Sequence, residues 1–287
     1  MQEDLSPQPQ VAHSRLLQLR SSRRCLMYNM EVLSASEVHV YDKDFDGRKY
    51  LDMFYRVDPE TDKESIFMLT FLKNIFSSGR VEGNSLIEIG AGPCIYHIIS
   101  ACENFKQIYL TDYVQGNLQE IEKWLKCDRE AFDWSPVLKY VCDIENHRST
   151  EEEKAEKIRR KVSLMKCDVT KANPLQPNSL PLADCVIVAG CLICVCNNAE
   201  DFKNALKNTV SLIRSGGYLV IVDYLGASYY LVGEAKFKLL SLDENIVREA
   251  VTESGCEIEE FTKCTDFQIT EEVFDCKNVF CLLARKH

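Results

Sequence analysis

An α/β fold built on a mostly parallel sheet is predicted by three observations. Short apolar runs of strand length alternate with helical segments along most of the chain. The first run ends in a glycine turn and the second in an acidic residue. Two further strand-like runs close the sequence without a helix between them, as antiparallel neighbours at a sheet edge would.

The elements follow in order. Residues 1–40 read as an extension outside the fold, with Pro7 and Pro9, then Arg15, Arg20, Arg23 and Arg24, and no acid between Asp4 and Glu31. Such an Arg- and Ser-rich, acid-poor stretch suits either a disordered extension or a mitochondrial presequence. From Tyr41 the chain turns globular. Arg48 to Tyr55 forms an aromatic helical segment, Pro59 interrupts it, and Ile66, Leu69, Leu72, Ile75 and Phe76 give the next helix an apolar face, which Gly79 and Gly83 end. Residues 41–80 are thus expected to form a helical lid. Strands are predicted at Ser85 to Ile89, Gln107 to Thr111, Val162 to Cys167, Asp184 to Ala189 and Tyr218 to Asp223. Thr150-Glu-Glu-Glu153 is a capping-box pattern that opens a charged helix through Lys161, read as a solvated face. Asn204 to Arg214 is read as a helix that Ser215-Gly216-Gly217 caps, and Glu244 to Ser254 as the last helix. Cys256 to Thr262 and Asn278 to Arg285 complete a seven-stranded sheet.

Composition excludes several functions. Lys+Arg of 34 against Asp+Glu of 44 gives a net charge of -10, which opposes binding to nucleic acid or to an anionic membrane. No apolar run approaches the roughly 20 residues a bilayer requires, so a cytoplasmic, monomeric protein is expected. The 14 cysteines lie mostly inside apolar runs, as reduced buried thiols do. Cys191, Cys194 and Cys196 are clustered, but no second Cys or His pair accompanies them, so no metal is expected, and redox regulation there stays open.

The chemistry is read at the strand ends, because ligands of open α/β sheets bind outside the carboxyl ends of the strands. Gly90, Ala91 and Gly92 form a turn that admits a ligand close to the backbone, with Tyr96 beyond it. Asp112 follows Gly92 by 20 residues, in Thr111-Asp112-Tyr113, where a carboxylate accepts ribose hydroxyls; Asn117 lies in the following turn. A dinucleotide fingerprint would place a third glycine at position 95, where Ile95 stands. Glu88 at the end of the first strand, common where an acid lies near the amino-acid end of the cofactor, adds to the set. The ordered set of Glu88, Gly90, Gly92 and Asp112 points to S-adenosylmethionine and to a Rossmann-like methyltransferase of class I. Asp168 and Val169 end the third strand as an adenine site, Ala189 ends the fourth beside the amino-acid portion, and Asp223 and Tyr224 end the fifth, facing the second substrate. Simpler roles stay open: Asp168 opening a turn, Asp112 capping a helix, and Tyr50, Phe54 and Tyr55 as core aromatics.

Longer strings carry a family resemblance. Tyr50-Leu-x-x-Phe-Tyr55, Ile89-Gly-Ala-Gly-Pro93 with Ile95-Tyr96, Asn117-Leu-Gln-Glu120, Ala131-Phe-Asp-Trp-Ser-Pro136, Tyr140-Val-Cys-Asp143 and Ser228-Tyr-Tyr230 resemble the nicotinamide N-methyltransferase family. That family includes the indolethylamine (thioether) and phenylethanolamine methyltransferases, and the similarity runs from Tyr41 to Lys286. The resemblance implies methyl transfer to a small amine or N-heterocycle. Tyr50 and Tyr55 would close over the cofactor, Gly90, Gly92 and Tyr96 would hold its methionine end, and Asp112, with Asn117 near it, its ribose. Asp168 and Val169 would hold adenine, Asp223 would contact the polar group of the acceptor, and Tyr230 would border its pocket. Asp223 and Tyr50 are the catalytic candidates. Departures fall on the acceptor side. Leu239 stands where the nicotinamide enzyme has a serine, Ile193 replaces an acid, Tyr224 replaces a small residue and Phe274 is bulkier; the cofactor side is intact except for Ala189, where a hydroxyl residue is usual. A buried amide facing Leu239 would lose a partner, at a cost of about 1–3 kcal/mol. The alternatives are thioether methylation and cofactor binding without turnover.

Overall fold

The computed structural model describes residues 41–287 apart from 42, 57 and 267–271. The expected extension at 1–40 lies outside the described residues.

Two helices come first, α1 (Gly47–Phe54) and α2 (Lys63–Ser77), each started by an aspartate. Asp46 accepts from the Lys49 amide and Asp62 from that of Ser65, which satisfies amides that a helix start leaves unpaired. The face of α2 formed by Met68, Leu69, Phe71, Leu72, Ile75 and Phe76 is buried, each side chain contributing about 1.5–3 kcal/mol.

The remainder alternates strands and helices: β1 (Gly83–Ile89), β2 (Phe105–Asp112), α3 (Gln115–Leu125), α4 (Ser135–Ile144), α5 (Glu151–Lys161), β3 (Val162–Lys166), β4 (Ala183–Ala189), the single-turn α6 (Leu192–Val195), α7 (Ala199–Val210) and β5 (Ile213–Leu225). A hairpin of β6 (Tyr229–Val232) and β7 (Ala235–Lys238) follows, then α8 (Glu244–Glu253), β8 (Cys256–Cys264) and β9 (Asn278–Lys286). The seven-stranded sheet has the order β3-β2-β1-β4-β5-β9-β8. Its first five strands run parallel, while β9 pairs antiparallel with both β5 and β8.

Successive side chains of a strand face opposite sides of a sheet, and the central strands sort accordingly. Leu86, Cys185, Ile187, Val220 and Val222 join one apolar cluster with α2 and α4; Ile87, Ile89, Val186, Val188, Leu219 and Ile221 join the other with α7 and α8. Both faces are therefore covered, and only the strand ends and loops open to a ligand.

Three readings need correction. The helix expected at Asn204 to Arg214 is α7, shifted to Ala199–Val210, because Asn198 accepts from the Asp201 amide and starts it earlier. Ser215-Gly216-Gly217 caps no helix. The three residues lie within β5, where Gly216 takes φ +71° and the register against β4 shifts. The capping box at Thr150 and Glu153 is present, but α5 is not wholly solvated: Lys154 is fully buried, its Nζ 2.7 Å from Glu145 Oε2.

Candidate active site

At the carboxyl end of β1 the chain turns through Gly90 at φ +67° and Gly92 at φ +61°. The two glycines differ in surroundings. A Cβ on Gly90 would stand 2.1 Å from Cys191 Sγ, whereas a Cβ on Gly92 would meet nothing within 4 Å. One side of the turn is packed and the other is open.

Asp112 fastens this turn. Its Oδ2 accepts from the Gly92 amide at 2.8 Å; its Oδ1 accepts from the Val114 amide at 2.7 Å and from Asn117 Nδ2 at 3.1 Å. Burial raises its pKa in spite of these three donors. A carboxylate offers about four acceptor positions, so Asp112 braces the loop and keeps capacity for a further donor. Its contact with Val114 also makes the turn that opens α3. Bracing and capping therefore coexist in one side chain.

Glu88 is fully buried on the α2 side of β1. His97 Nδ1 lies 2.8 Å from its Oε1, and its Oε2 has no partner. Asp168 Oδ1 accepts from the amide and hydroxyl of Thr170, the turn-forming role, while Oδ2 has a 3.9 Å ion pair with Lys171. Val169 is buried and Tyr113 half-buried. Gly90, Gly92, Ala189 and Gly190 stay half-exposed at the ends of β1 and β4. The open turn, the spare acceptor capacity of Asp112 and the small residues at Ala189 and Gly190 fit a nucleoside with an amino-acid tail.

Aromatic side chains roof the cleft. The Tyr50 ring lies 5.7 Å from that of Tyr55, 5.0 Å from Phe54 and 6.4 Å from Tyr230. Tyr55 meets Tyr96 and Trp134 edge-on at 5.2 and 5.4 Å, and Tyr230 stacks on Phe237 at 5.3 Å. Tyr96 is itself buried behind Tyr55, its hydroxyl 3.5 Å from the Ser65 carbonyl. Tyr50, Tyr55 and Tyr224 each keep an accessible face. Burial nevertheless pushes every one of these phenols well above its usual range. Both facts hold for side chains that line an enclosed cleft.

Near the end of β5, Asp223 is 2% exposed, and the Tyr224 amide donates to its Oδ1 at 2.9 Å. Burial raises its pKa to about 7, only partly offset by the Tyr224 amide. Leu239, Ile193, Tyr230 and Phe274 share one buried apolar cluster. Cys191 joins the two halves: it abuts Gly90, and both Asp112 and Asp223 are close enough to raise its thiol further above burial alone. Cys194 donates to the Gly190 carbonyl, and burial keeps Cys194 and Cys196 protonated, each pushed up to about 12. Among the described residues no group of three His, Cys, Asp or Glu could hold a metal ion, and no helix is long and apolar enough to cross a membrane.

Some contacts of these residues gave no signal in the sequence. Glu64, in the first turn of α2, accepts a hydrogen bond from the Tyr224 hydroxyl. Burial raises its pKa to about 7. An acid at that position reads as a helix-dipole partner and nothing more. Trp134 braces Tyr55, and Tyr41 reaches Tyr230 with its hydroxyl 3.4 Å away.

With this geometry in place, comparison with known proteins is decisive. The sequence profile described as the NNMT/PNMT/TEMT family matches residues 34–287. The chain belongs to the NNMT/PNMT/TEMT family. Nicotinamide N-methyltransferase of Homo sapiens is 45% identical over 250 residues, covering 86% of this chain and 94% of that one. Indolethylamine N-methyltransferase of Mus musculus is 37% identical with the same coverage, and phenylethanolamine N-methyltransferase of Sus scrofa is 37% identical over 84% and 88%. Among solved structures, magnesium protoporphyrin IX methyltransferase of Synechocystis with bound S-adenosylhomocysteine superposes with a TM-score of 0.52 at 11% identity, over 87% of this chain and 97% of that one. That likeness shows the fold. As a member of the NNMT/PNMT/TEMT family the protein is an S-adenosylmethionine-dependent methyltransferase, and its sheet is the Rossmann-like sheet of class I.

Proposed function

We propose that the protein methylates a nitrogen of a small amine or N-heterocycle, with Asp223 and Tyr50 at the reacting centre. The observation that carries this reading is that Cys191 abuts the glycine turn while standing close to both Asp112 and Asp223.

Cofactor and acceptor would thus meet end to end. Gly90, Ala91 and Gly92 with Ala189 would hold the amino-acid portion, Asp112 with Tyr113 and Asn117 the ribose, Asp168 and Val169 the adenine, and Tyr50 and Tyr55 the top. Bound S-adenosylmethionine supplies a sulfonium methyl group that passes in line to a nucleophile. Little covalent help is needed, so positioning and the exclusion of water supply most of the acceleration. The roof of Tyr50, Tyr55 and Tyr230 serves that exclusion, with residues 41–80 as its lid. An aliphatic amine must shed a proton to offer its lone pair. Asp223, raised to about 7, is matched to take that proton at neutral pH. Tyr224, Tyr230 and Leu239 would border the acceptor.

A second reading, methylation of a thioether, is favoured by the apolar cluster of Leu239, Ile193 and Phe274, since a sulfur nucleophile needs no base. We take the protein to act as a monomer in the cytoplasm, without nucleic acid. The test is release of S-adenosylhomocysteine with nicotinamide, quinoline, tryptamine, phenylethanolamine and dimethyl sulfide offered separately. Turnover of a nitrogen acceptor supports the proposal, turnover of dimethyl sulfide alone supports the second reading, and tight S-adenosylhomocysteine binding without turnover refutes both.

A further inference from the structure

Tyr224 touches both carboxylates on the acceptor side. Its amide donates to Asp223 Oδ1 at 2.9 Å and its hydroxyl donates to Glu64 Oε1, 160 residues away on α2. The ring is held edge-on against Phe274, with centroids 4.6 Å apart, and the backbone of Phe274 pairs with that of Tyr230. Tyr224 is half-exposed, so part of its surface stays accessible beside Asp223. Asp62 caps α2 and fixes where Glu64 stands.

We infer that Tyr224 is the wall limiting the size of the acceptor beside Asp223, and that Glu64 is the positioning residue that holds this wall upright. The inference rests on the proposed acceptor site. A phenol tied at its hydroxyl cannot swing aside to admit a second fused ring; released, it can adopt another rotamer. The pair therefore selects single-ring acceptors over fused bicyclic ones. Glu64 would act through Tyr224, without touching the acceptor.

Four variants test this: Tyr224→Ala, Tyr224→Phe, Glu64→Ala and Glu64→Gln. The readout is the ratio of kcat/KM for quinoline to that for nicotinamide, alongside S-adenosylhomocysteine affinity. Removing the ring should raise the ratio on the order of tenfold, the scale at which an apolar pocket discriminates by size. Glu64→Ala and Tyr224→Phe should move it in the same direction by a smaller factor. Glu64→Gln should restore the wild-type ratio, because its amide oxygen still accepts from the Tyr224 hydroxyl. An unchanged ratio in Tyr224→Ala with cofactor affinity retained overturns the wall. A parallel loss of S-adenosylhomocysteine binding in Tyr224→Ala and Glu64→Ala overturns it as well, by showing a merely structural pair. Should the wild type turn over neither of these two, the N-heterocycle arm of the proposed function fails instead. The thermal shift that each acceptor adds to the S-adenosylhomocysteine complex then decides the wall without turnover: a larger quinoline shift in Tyr224→Ala supports it and an equal one refutes it.

Discussion

Asp223→Asn should stabilise the protein, and more so as pH rises. Asp223 is 2% exposed, and burial lifts its pKa from 3.8 to about 7. A carboxyl whose folded pKa is raised contributes stability that is complete below the unfolded value and is lost as pH rises through the folded one. Between pH 5 and 8 the loss accrues over about two pH units, from pH 5 to the folded pKa. At about 1.4 kcal/mol per unit this amounts to about 3 kcal/mol as an upper bound. Asparagine cannot ionise, and its amide oxygen still accepts from the Tyr224 amide. Glu64 titrates in the same window, but it is present in both proteins, so its contribution cancels in their difference. For a domain of this size 3 kcal/mol corresponds to roughly 6–12 °C in Tm. The assay is thermal unfolding of both proteins at pH 5 and pH 8 without ligand, paired with turnover of an amine from pH 6 to 8.5. The variant should gain on the wild type at the higher pH and lose the rise in turnover through pH 7. A Tm difference that is the same at both pH values, with amine turnover unaffected, would refute the assignment of a buried, ionising acid to this position.

Asp112→Ala should weaken S-adenosylhomocysteine binding at least tenfold in calorimetry and lower Tm, since it strands the amides of Gly92 and Val114 and the Asn117 side chain. The two glycines should separate. Gly90→Ala forces a Cβ to 2.1 Å from Cys191 Sγ at positive φ and should cost well over 1 kcal/mol in denaturant unfolding. Gly92→Ala meets nothing, so it should cost only the backbone strain of about 1–2 kcal/mol while its methyl group displaces the cofactor. Lys154→Met should destabilise by about 3 kcal/mol or more, because Glu145 is left buried without its partner; adding Glu145→Gln should recover part of that loss in the same unfolding experiment.

The parallel sheet and the tie between its glycine turn and Asp112 were legible because their signals are local. A strand, its glycine turn and the acid 20 residues on are read from short windows, and the structure connects the same residues through the Gly92–Asp112 bond. The antiparallel end was legible for a similar reason, since no helical pattern separates the two runs in the sequence. The hairpin of β6 and β7 was not. Its residues, Tyr229 to Lys238, are too few to show a period, and their partners, α1 and Phe274, lie far away in sequence. The Glu64–Tyr224 bond spans 160 residues and has no local trace. Gly216 and Gly217 misled because a helix cap and a strand bulge both use positive φ, and only the pairing of Ile213 with Ala183 tells them apart. Aromatic spacing left Tyr50 and Tyr55 open between core and lid, and the structure shows why, as each packs on one side and faces the cleft on the other.

The hairpin packs on the first helix: the Gly233 amide lies 3.1 Å from Met53 Sδ, and Tyr50 meets Tyr230 across the seam. The first helix and this hairpin, some 180 residues apart in the chain, thus share one wall, so a substitution in either is felt by the other through side-chain contact rather than along the backbone.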